Sequence, residues 1–528
     1  MRSWLPADHP VFWVIEVVGR LDTTALHAQR RTGGVGRAGY DPDMLLTLLI
    51  WAWAQGQRSS RVIERCCQQD LAYRIICAGD VPDHVTISRF RAGLDTAVQD
   101  LFAQVLVLCA QLGMGRLGVV ALDGVKIASN ASMSANRTED SLRKAAADEA
   151  MRAAKAQAAT AAAEHAATDQ GEDEMFGTGT RPDTVPDNDT DGGPAGGAGP
   201  TATAPARSRA ARIEQALAIV QAENESRTAA EQRLRPRTGA PTQRQIDQAQ
   251  NRLAIERAKQ QKVVDDFDIH YRNYVQEMRI KPDGAHPTPV EQRSRVVRAR
   301  DRVERLNARI EQAADQGKPE DTTGRQPAAN TTDPQSRLMP LRGGGWLQGY
   351  NCQAVTSSDG LILATSVSNN PVDTPTFLPM MTAAIAAAAT MQPTTDQPPP
   401  HGGIGLLLAD AGYLSHANLT AAGPDRLIAV GKRRAMEAAA REHPAADAPP
   451  EDADPITAMT HRLRTAEGIA AYRQRSHIAE TPFGHAKHNL GFRRFTGRGT
   501  TRATAEFAFH AMVHNLTKAF IHTAPNTA

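Results

Sequence analysis

What most constrains the fold of this 528-residue chain is the order of its elements. A short buried strand comes first, then a long interruption, a strand pair, a helix, two further strands and a run of helices. LGVVALD, from Leu117 to Asp123, is mostly apolar, valine-rich and bounded by glycine, the profile of a buried strand ending at Asp123. GYNCQAVTS and LILATSVS are separated by Ser358-Asp359-Gly360, a turn sequence, and together predict a hairpin. Thr374 to Met391 reads as a helix, GIGLLLAD as a buried strand ending at Asp410, and RLIAVGK as a fifth strand ending at Lys432. After a low-order patch from Glu437 to Pro455, helices are expected over roughly 455–472, 476–490 and 504 to near the end.

An acid thus ends the first strand, another ends the fourth, and a third, Glu480, falls on a later helix. The ends of neighbouring parallel strands meet at one edge of a sheet, so acids there can converge. This order predicts an α/β fold: a ribonuclease H-like mixed sheet flanked by helices, with an all-α N-terminal domain and a long helical and disordered insertion after the first strand. Three converging carboxylates suit two hard divalent cations, which clamp the attacking and leaving oxygens of an in-line displacement at phosphorus. Capping and surface ion pairing are the other common roles of such acids, and placement alone leaves both open.

Around this core the chain divides further. Residues 1–115 read as a helical, DNA-binding N-terminal domain. Asp41 and Pro42 start one of its helices as cap and first residue. Asp83 caps another, which carries Arg89 and Arg91 and suits a helix-turn-helix contact with DNA as well as an ordinary solvated face. Residues 116–134 hold the first strand, 135–330 the insertion and 331–520 the rest of the catalytic domain. Within the insertion, residues 169–205 mix Gly, Pro, Thr and Asp and are expected to be disordered. Residues 207–316 are charged with helical periodicity and predict a hairpin or coiled coil, with loops near 235–241 and 281–289. The five cysteines include no Cys-x-x-Cys pair, which favours buried thiols over a disulfide framework. No secretory signal opens the chain, and its longest apolar run, Met44 to Ala54, is too short to span a bilayer. A cytoplasmic protein without membrane contact is expected.

The net charge of +2 says nothing about nucleic acid, but local clustering does. Between Arg462 and Arg502 basic residues, among them Arg475, Lys487, Arg493 and Arg494, far outnumber the two acids Glu467 and Glu480. Positive charge gathered around one candidate acid is what binding a DNA backbone requires. The run YRQRSHIAETPFGHAKHNLGFRRFTGRG resembles the Tyr–Arg–Glu–Lys motif of bacterial insertion-sequence DDE transposases. Tyr472 and Arg475 precede Glu480, and Lys487 follows after six residues; four residues separate Arg475 from Glu480, one more than in the best-known form of the motif. YDPDMLLTLLIWAWAQGQRSSRVIE, LDGVKIASNAS, TDPQSRLM, GYNCQAV and LADAGYLS resemble the same family.

The resemblance implies a transposase that cleaves transposon ends and transfers DNA strands with Mg²⁺ or Mn²⁺. Asp123, Asp410 and Glu480 carry over as catalytic metal ligands, and Tyr472, Arg475, Lys487, Arg493 and Arg494 as DNA contacts. The implied partners are double-stranded terminal inverted repeats and target DNA, held by a homodimer because two ends are joined. A catalytically decayed or co-opted copy that only binds DNA, and a structure-specific nuclease of the same fold, are the competing readings. His510 and His514 lack an adjacent third ligand and fit a packed helix better than a zinc site. Gly343-Gly-Gly345 is no phosphate loop, since no Lys-Ser/Thr follows it. Asn351 lies on the hairpin and Asp373 just before the following helix; Asn351 reads as holding a turn and is also able to orient a catalytic group.

Overall fold

The computed structural model describes residues 2–30, 39–174, 208–233, 243–277, 285–316, 327–341, 344–393, 398–446, 449 and 453–523. They form two compact units, Met1–Val220 with Ala328–Ala528, and Gln221–Pro327. The first unit opens with helices α1 (Pro10–Val18), α2 (Thr24–Ala28), α3 (Pro42–Ala54), α4 (Ser60–Gln69), α5 (Leu71–Ile76), α6 (His84–Gly93) and α7 (Val98–Gln111). The predicted caps form: Asp41 accepts from the amides of Asp43 and Met44, and Asp83 from those of Val85 and Thr86. One apolar face was expected on α3, yet Leu45 through Trp53 are all buried, so neighbours surround this helix on every side.

The strands are β1 (Val119–Ala128), β2 (Asn136–Thr138), β3 (Ala328–Asn330), β4 (Arg337–Pro340), β5 (Trp346–Ser357), β6 (Ile362–Ser368), β7 (Leu406–Ala409) and β8 (Asp425–Ile428). The main sheet runs β4-β5-β1-β7-β8, with β6 also paired to β5, while β2 and β3 form a separate pair. β1 is antiparallel to β5 and parallel to β7, which is parallel to β8. The first strand does not end at Asp123. Its parallel ladder with β7 stops at Leu122, but the antiparallel ladder with β5 carries it on to Ala128. Asp123 therefore stands where β1 leaves its parallel neighbour, and Asp410 directly follows the end of that neighbour. The fifth strand is also shorter than expected and stops at Ile428. At Gly349, opposite Ala128, an added Cβ would lie 2.1 Å from the Ile127 carbonyl oxygen, so only glycine fits this part of the ladder.

The insertion is helical where it is described. α8 (Glu139–Glu174) extends the Ala-rich stretch into the first residues of the segment expected to be disordered; residues 175–205 of that segment lie outside the described residues. α9 (Arg209–Arg233) packs Ile213, Ala216 and Val220 against Leu142 of α8 and Ala329 of β3, a small core separate from that of the sheet. In the second unit α10 (Gln243–Glu277) and α11 (Ser294–Gln316) pair as a hairpin. The loop expected at 235–241 lies outside the described residues, as does the first part of the one at 281–289.

α12 (Phe377–Thr390) follows the β5–β6 hairpin as predicted, and α13 (His416–Thr420) follows β7. α14 (Arg433–Glu442) occupies the start of the patch read as low-order; Glu437 pairs there with Arg433 and Arg473. Beyond α15 (Pro455–Arg462), one continuous helix, α16 (Ala466–Gly484), replaces the two expected with a break near 472–476. A π-turn over His485–Asn489 follows it, and α17 (Thr500–Thr523) closes the fold. α17 is buried almost all round and packs on α7, α3 and β6, with Phe509 edge-on to Trp53 at 4.9 Å. As a result, the N-terminal helices and the sheet share one hydrophobic core. No single helix among the described residues is long and apolar enough to cross a membrane.

His510 and His514 belong to that core. Burial lowers their pKa values to about 3 and about 4, so both are neutral in the folded chain. The unfolded chain binds these protons below about pH 6.5, so folding stability is lost as pH falls from there toward 4. The slope is about 1.4 kcal/mol per pH unit for each histidine. Thermal melts from pH 7 to 4.5 are expected to show this decline, and His510→Leu to make it shallower.

Candidate active site

The site lies at the edge where β1 parts from β7. Asp123 comes from the middle of β1, Asp410 from the residue after β7, and Glu480 from the second half of α16, which packs across β1 and β7. Asp123 is buried and accepts from the Gly124 amide at 2.9 Å, while Asp410 caps the turn after β7 by accepting from the Gly412 amide at 2.8 Å.

Arg475 ties these acids together. Its Nη1 lies 3.4 Å from Asp123 Oδ2 and its Nη2 3.5 Å from Glu480 Oε1. Burial would strip charge from this guanidinium, yet its pKa is raised, because Asp123, Tyr472, Asp410 and Glu480 surround it. Tyr472 is itself buried in the apolar layer between α16 and the sheet, and burial together with Asp410 and Asp123 pushes its hydroxyl pKa up. Of the residues expected to touch DNA, Tyr472 and Arg475 thus sit beneath the carboxylates. The Glu480 side chain, by contrast, is 61% exposed.

The triad is gathered but not closed around a point. Among the described residues, the three-residue set whose potential ligand atoms all lie within 4.8 Å of one another is His27, Asp41 and Asp43. Those groups are explained by capping: Asp41 caps α3, and Asp43 pairs with His27 at 3.1 Å and accepts from Thr23 at 2.6 Å. In the triad, the Arg475 guanidinium stands between Asp123 and Glu480.

A fourth carboxylate faces the same place. Asp373, just before α12, accepts from Asn351 Nδ2 at 2.7 Å, Gln353 Nε2 at 3.0 Å and Lys126 Nζ at 3.4 Å. Gln353 Oε1 accepts in turn from the Tyr413 hydroxyl. Burial and the charges of Asp373, Asp123 and Asp410 push the Tyr413 pKa far above its ordinary value. Gly124 makes this crossing possible: a Cβ there would lie 2.5 Å from Gln353 Nε2. A Cβ on Gly412 would meet Asp410 Oδ1 at 3.0 Å and Asp373 Oδ2 at 3.1 Å, which brings these two carboxylates to either side of one small residue. Sequence reasoning placed Asp373 by position alone, gave Asn351 a turn-holding or orienting role, and passed over Gln353. The signal was present: Asn351 and Gln353 alternate along the buried part of this strand, and buried amides need partners.

The expected cations lie along one edge of this site. Lys487, in the π-turn, donates to the Lys126 carbonyl at 3.3 Å; burial lowers its pKa. Pro482 inside α16 and the π-turn after it re-aim the chain so that Lys487 returns over β1. Arg493 and Arg494 follow, bridged to the end of β1 at Ala128, and both are exposed. Arg494 borders a groove of about 810 Å³ shared with Arg58, Arg61, His84, Arg89 and Arg91 from the N-terminal helices. Arg91 and Arg58 serve structure there. Arg91 donates to the Arg58 carbonyl at 2.7 Å, and Arg58 bonds the Arg494 and Gly491 carbonyls at 2.9 Å each while stacking over Phe492. Arg61, Arg89 and Arg494 are exposed, with no carboxylate partner among the described residues.

Comparison with curated proteins and with solved structures returned no match. Two family models match: a transposase domain (DUF772) over residues 1–93 and a transposase DDE domain over residues 448–520. The second span contains Tyr472, Arg475, Glu480 and Lys487, whereas Asp123 and Asp410 lie outside both. These two matches, at either end of the chain, support an insertion-sequence DDE transposase.

Proposed function

We propose that the protein cleaves the ends of its mobile element and joins them to target DNA by divalent-metal-dependent phosphoryl transfer, using Asp123, Asp410 and Glu480. The observation that carries this reading is the convergence of the three acids on Arg475 from β1, β7 and α16. The strand order β5-β1-β7-β8, with only β5 antiparallel, supports a ribonuclease H-like core.

The donor set fits the metal that this family uses. All the candidate ligands are hard carboxylate oxygens, and one guanidinium among three acids leaves negative charge uncompensated, which suits Mg²⁺ or Mn²⁺. When bound, the metal raises the acidity of the attacking water or 3′-hydroxyl and neutralises charge on the leaving oxygen. The chain's own residues do the rest. Asp123 and Asp410 are fixed by backbone amides, and the exposed Glu480 completes the set from α16. Arg475 holds the acids together, and Tyr472 packs beneath it. Lys487, Arg493 and Arg494 hold phosphates beside the cut, and exposed Arg61 and Arg89 extend that track along duplex DNA. Two ends are joined, so a homodimer on DNA is part of the proposal.

The test is cleavage of DNA carrying the flanking inverted repeats, with Mg²⁺ or with chelator. New 3′-hydroxyl ends and joined products that require the metal are expected. Binding without cutting in Mg²⁺ and Mn²⁺, with paired ends supplied, would replace this reading with a DNA-binding protein that has lost catalysis.

A further inference from the structure

We infer that the second compact unit, which carries none of the proposed catalytic residues, is a second binding surface for the phosphate backbone of duplex DNA. Between α10 and α11 runs a groove of about 810 Å³, lined by Gln248, Arg252, Glu256, Arg295, Arg298 and Arg302, with Ala249 and Ala299 at its base. Arg295, Arg298 and Arg302 are three and four residues apart, so they share one face of α11. Arg252 faces them from α10, and all four arginines are exposed. Glu256 is the one acid in the lining.

The charge is concentrated against local preference. From Arg293 to Arg302 five arginines stand against the single acid Asp301. The first turn of α11 holds no acid, although that end of a helix already carries partial positive charge. Arg295 and Arg298 add to it. Glu291, just before the helix, is engaged elsewhere, with Arg257 at 2.8 Å and Arg300 at 3.5 Å. Arg298 Nε donates to the Ser294 carbonyl at 3.1 Å, and the residue lines the groove. An anion would relieve this accumulation. From Arg295 to Arg302 the helix rises about 10 Å, the axial length of about three phosphates on one strand of a duplex. Arginine clusters suit phosphate through forked donors, and a transposase works on a polymer of phosphates.

The partner rests on the DNA-acting role proposed above, but binding can be read without cutting. The full chain carrying Arg295→Ala, Arg298→Ala and Arg302→Ala together is compared with wild type on a duplex lacking the inverted repeats, from 50 to 200 mM salt. Loss of about three phosphate contacts is expected to reduce the slope of log affinity against log salt by about 2–3 and to weaken binding at least 10-fold at low salt. The triple Arg→Lys variant should keep most of the slope, because it keeps the charge. Unchanged slope and affinity in a triple Ala variant with wild-type helicity would overturn the inference. If the wild type binds DNA with this slope change yet never cuts it, the catalytic reading fails and this one stands.

Discussion

Glu480→Gln is expected to abolish cleavage and strand transfer, with a fall on the order of 10³-fold or more, while binding to end DNA persists. The side chain keeps its size and one oxygen but loses the charge that a divalent cation needs, and several kcal/mol of transition-state stabilisation go with it. Because Glu480 is 61% exposed, the substitution leaves no buried group stranded, and the melting temperature should stay close to wild type. Asp123→Asn should lose activity equally but also lose stability, since Asp123 is buried beside Arg475. A gel assay for 3′ ends, run beside thermal melts, separates the two. Cleavage by Glu480→Gln within tenfold of wild type would remove Glu480 from the catalytic set.

Arg475→Met is expected to destabilise the fold by about 3 kcal/mol or more without metal, because it leaves negative charge buried at Asp123 with its closest guanidinium gone. The same change should make the protein more responsive to Mg²⁺: divalent cation should raise its melting temperature further than that of wild type, since the cation replaces the lost positive charge. The measurement is a metal titration followed by thermal unfolding for both proteins. Equal metal shifts would mean that Arg475 and the cation do not share the same acids. A direct DNA contact by Arg475 predicts something different, a lower salt slope for DNA binding with little change in stability.

Much of the catalytic unit was legible because its strands are short, apolar and bounded by turn residues. The β5–β6 hairpin, the helix after it, the end of β7 just before Asp410 and the caps of α3 and α6 follow from local chemistry that tertiary context does not overrule. The end of β1 was not legible. Nothing near Asp123 signals that β5 continues past the point where β7 stops, and only the pairing makes Gly124 to Ala128 strand. The continuity of α16 was hidden for a similar reason: its polar middle gives no helical stripe, and contacts with the sheet hold it. Asp373, Gln353 and Gly124 were missed because their partnership links β5, β1 and the turn before α12, separations that no short motif spans. The basic cluster around Glu480, from Arg462 to Arg502, was legible in the sequence. Only the structure divides it into buried Arg475 beneath the acids and exposed Arg493 and Arg494 beyond them.

On the function proposed above, these carboxylates act by holding a divalent cation during DNA cutting. The most direct test is Asp410→Cys on end DNA in Mg²⁺ and in Mn²⁺. A thiolate is a poor ligand for hard Mg²⁺ and a better one for Mn²⁺. The account predicts little cleavage in Mg²⁺ and substantial recovery in Mn²⁺, with Asp410→Asn inactive in both. Cleavage by Asp410→Cys in Mg²⁺ at the wild-type rate would contradict it.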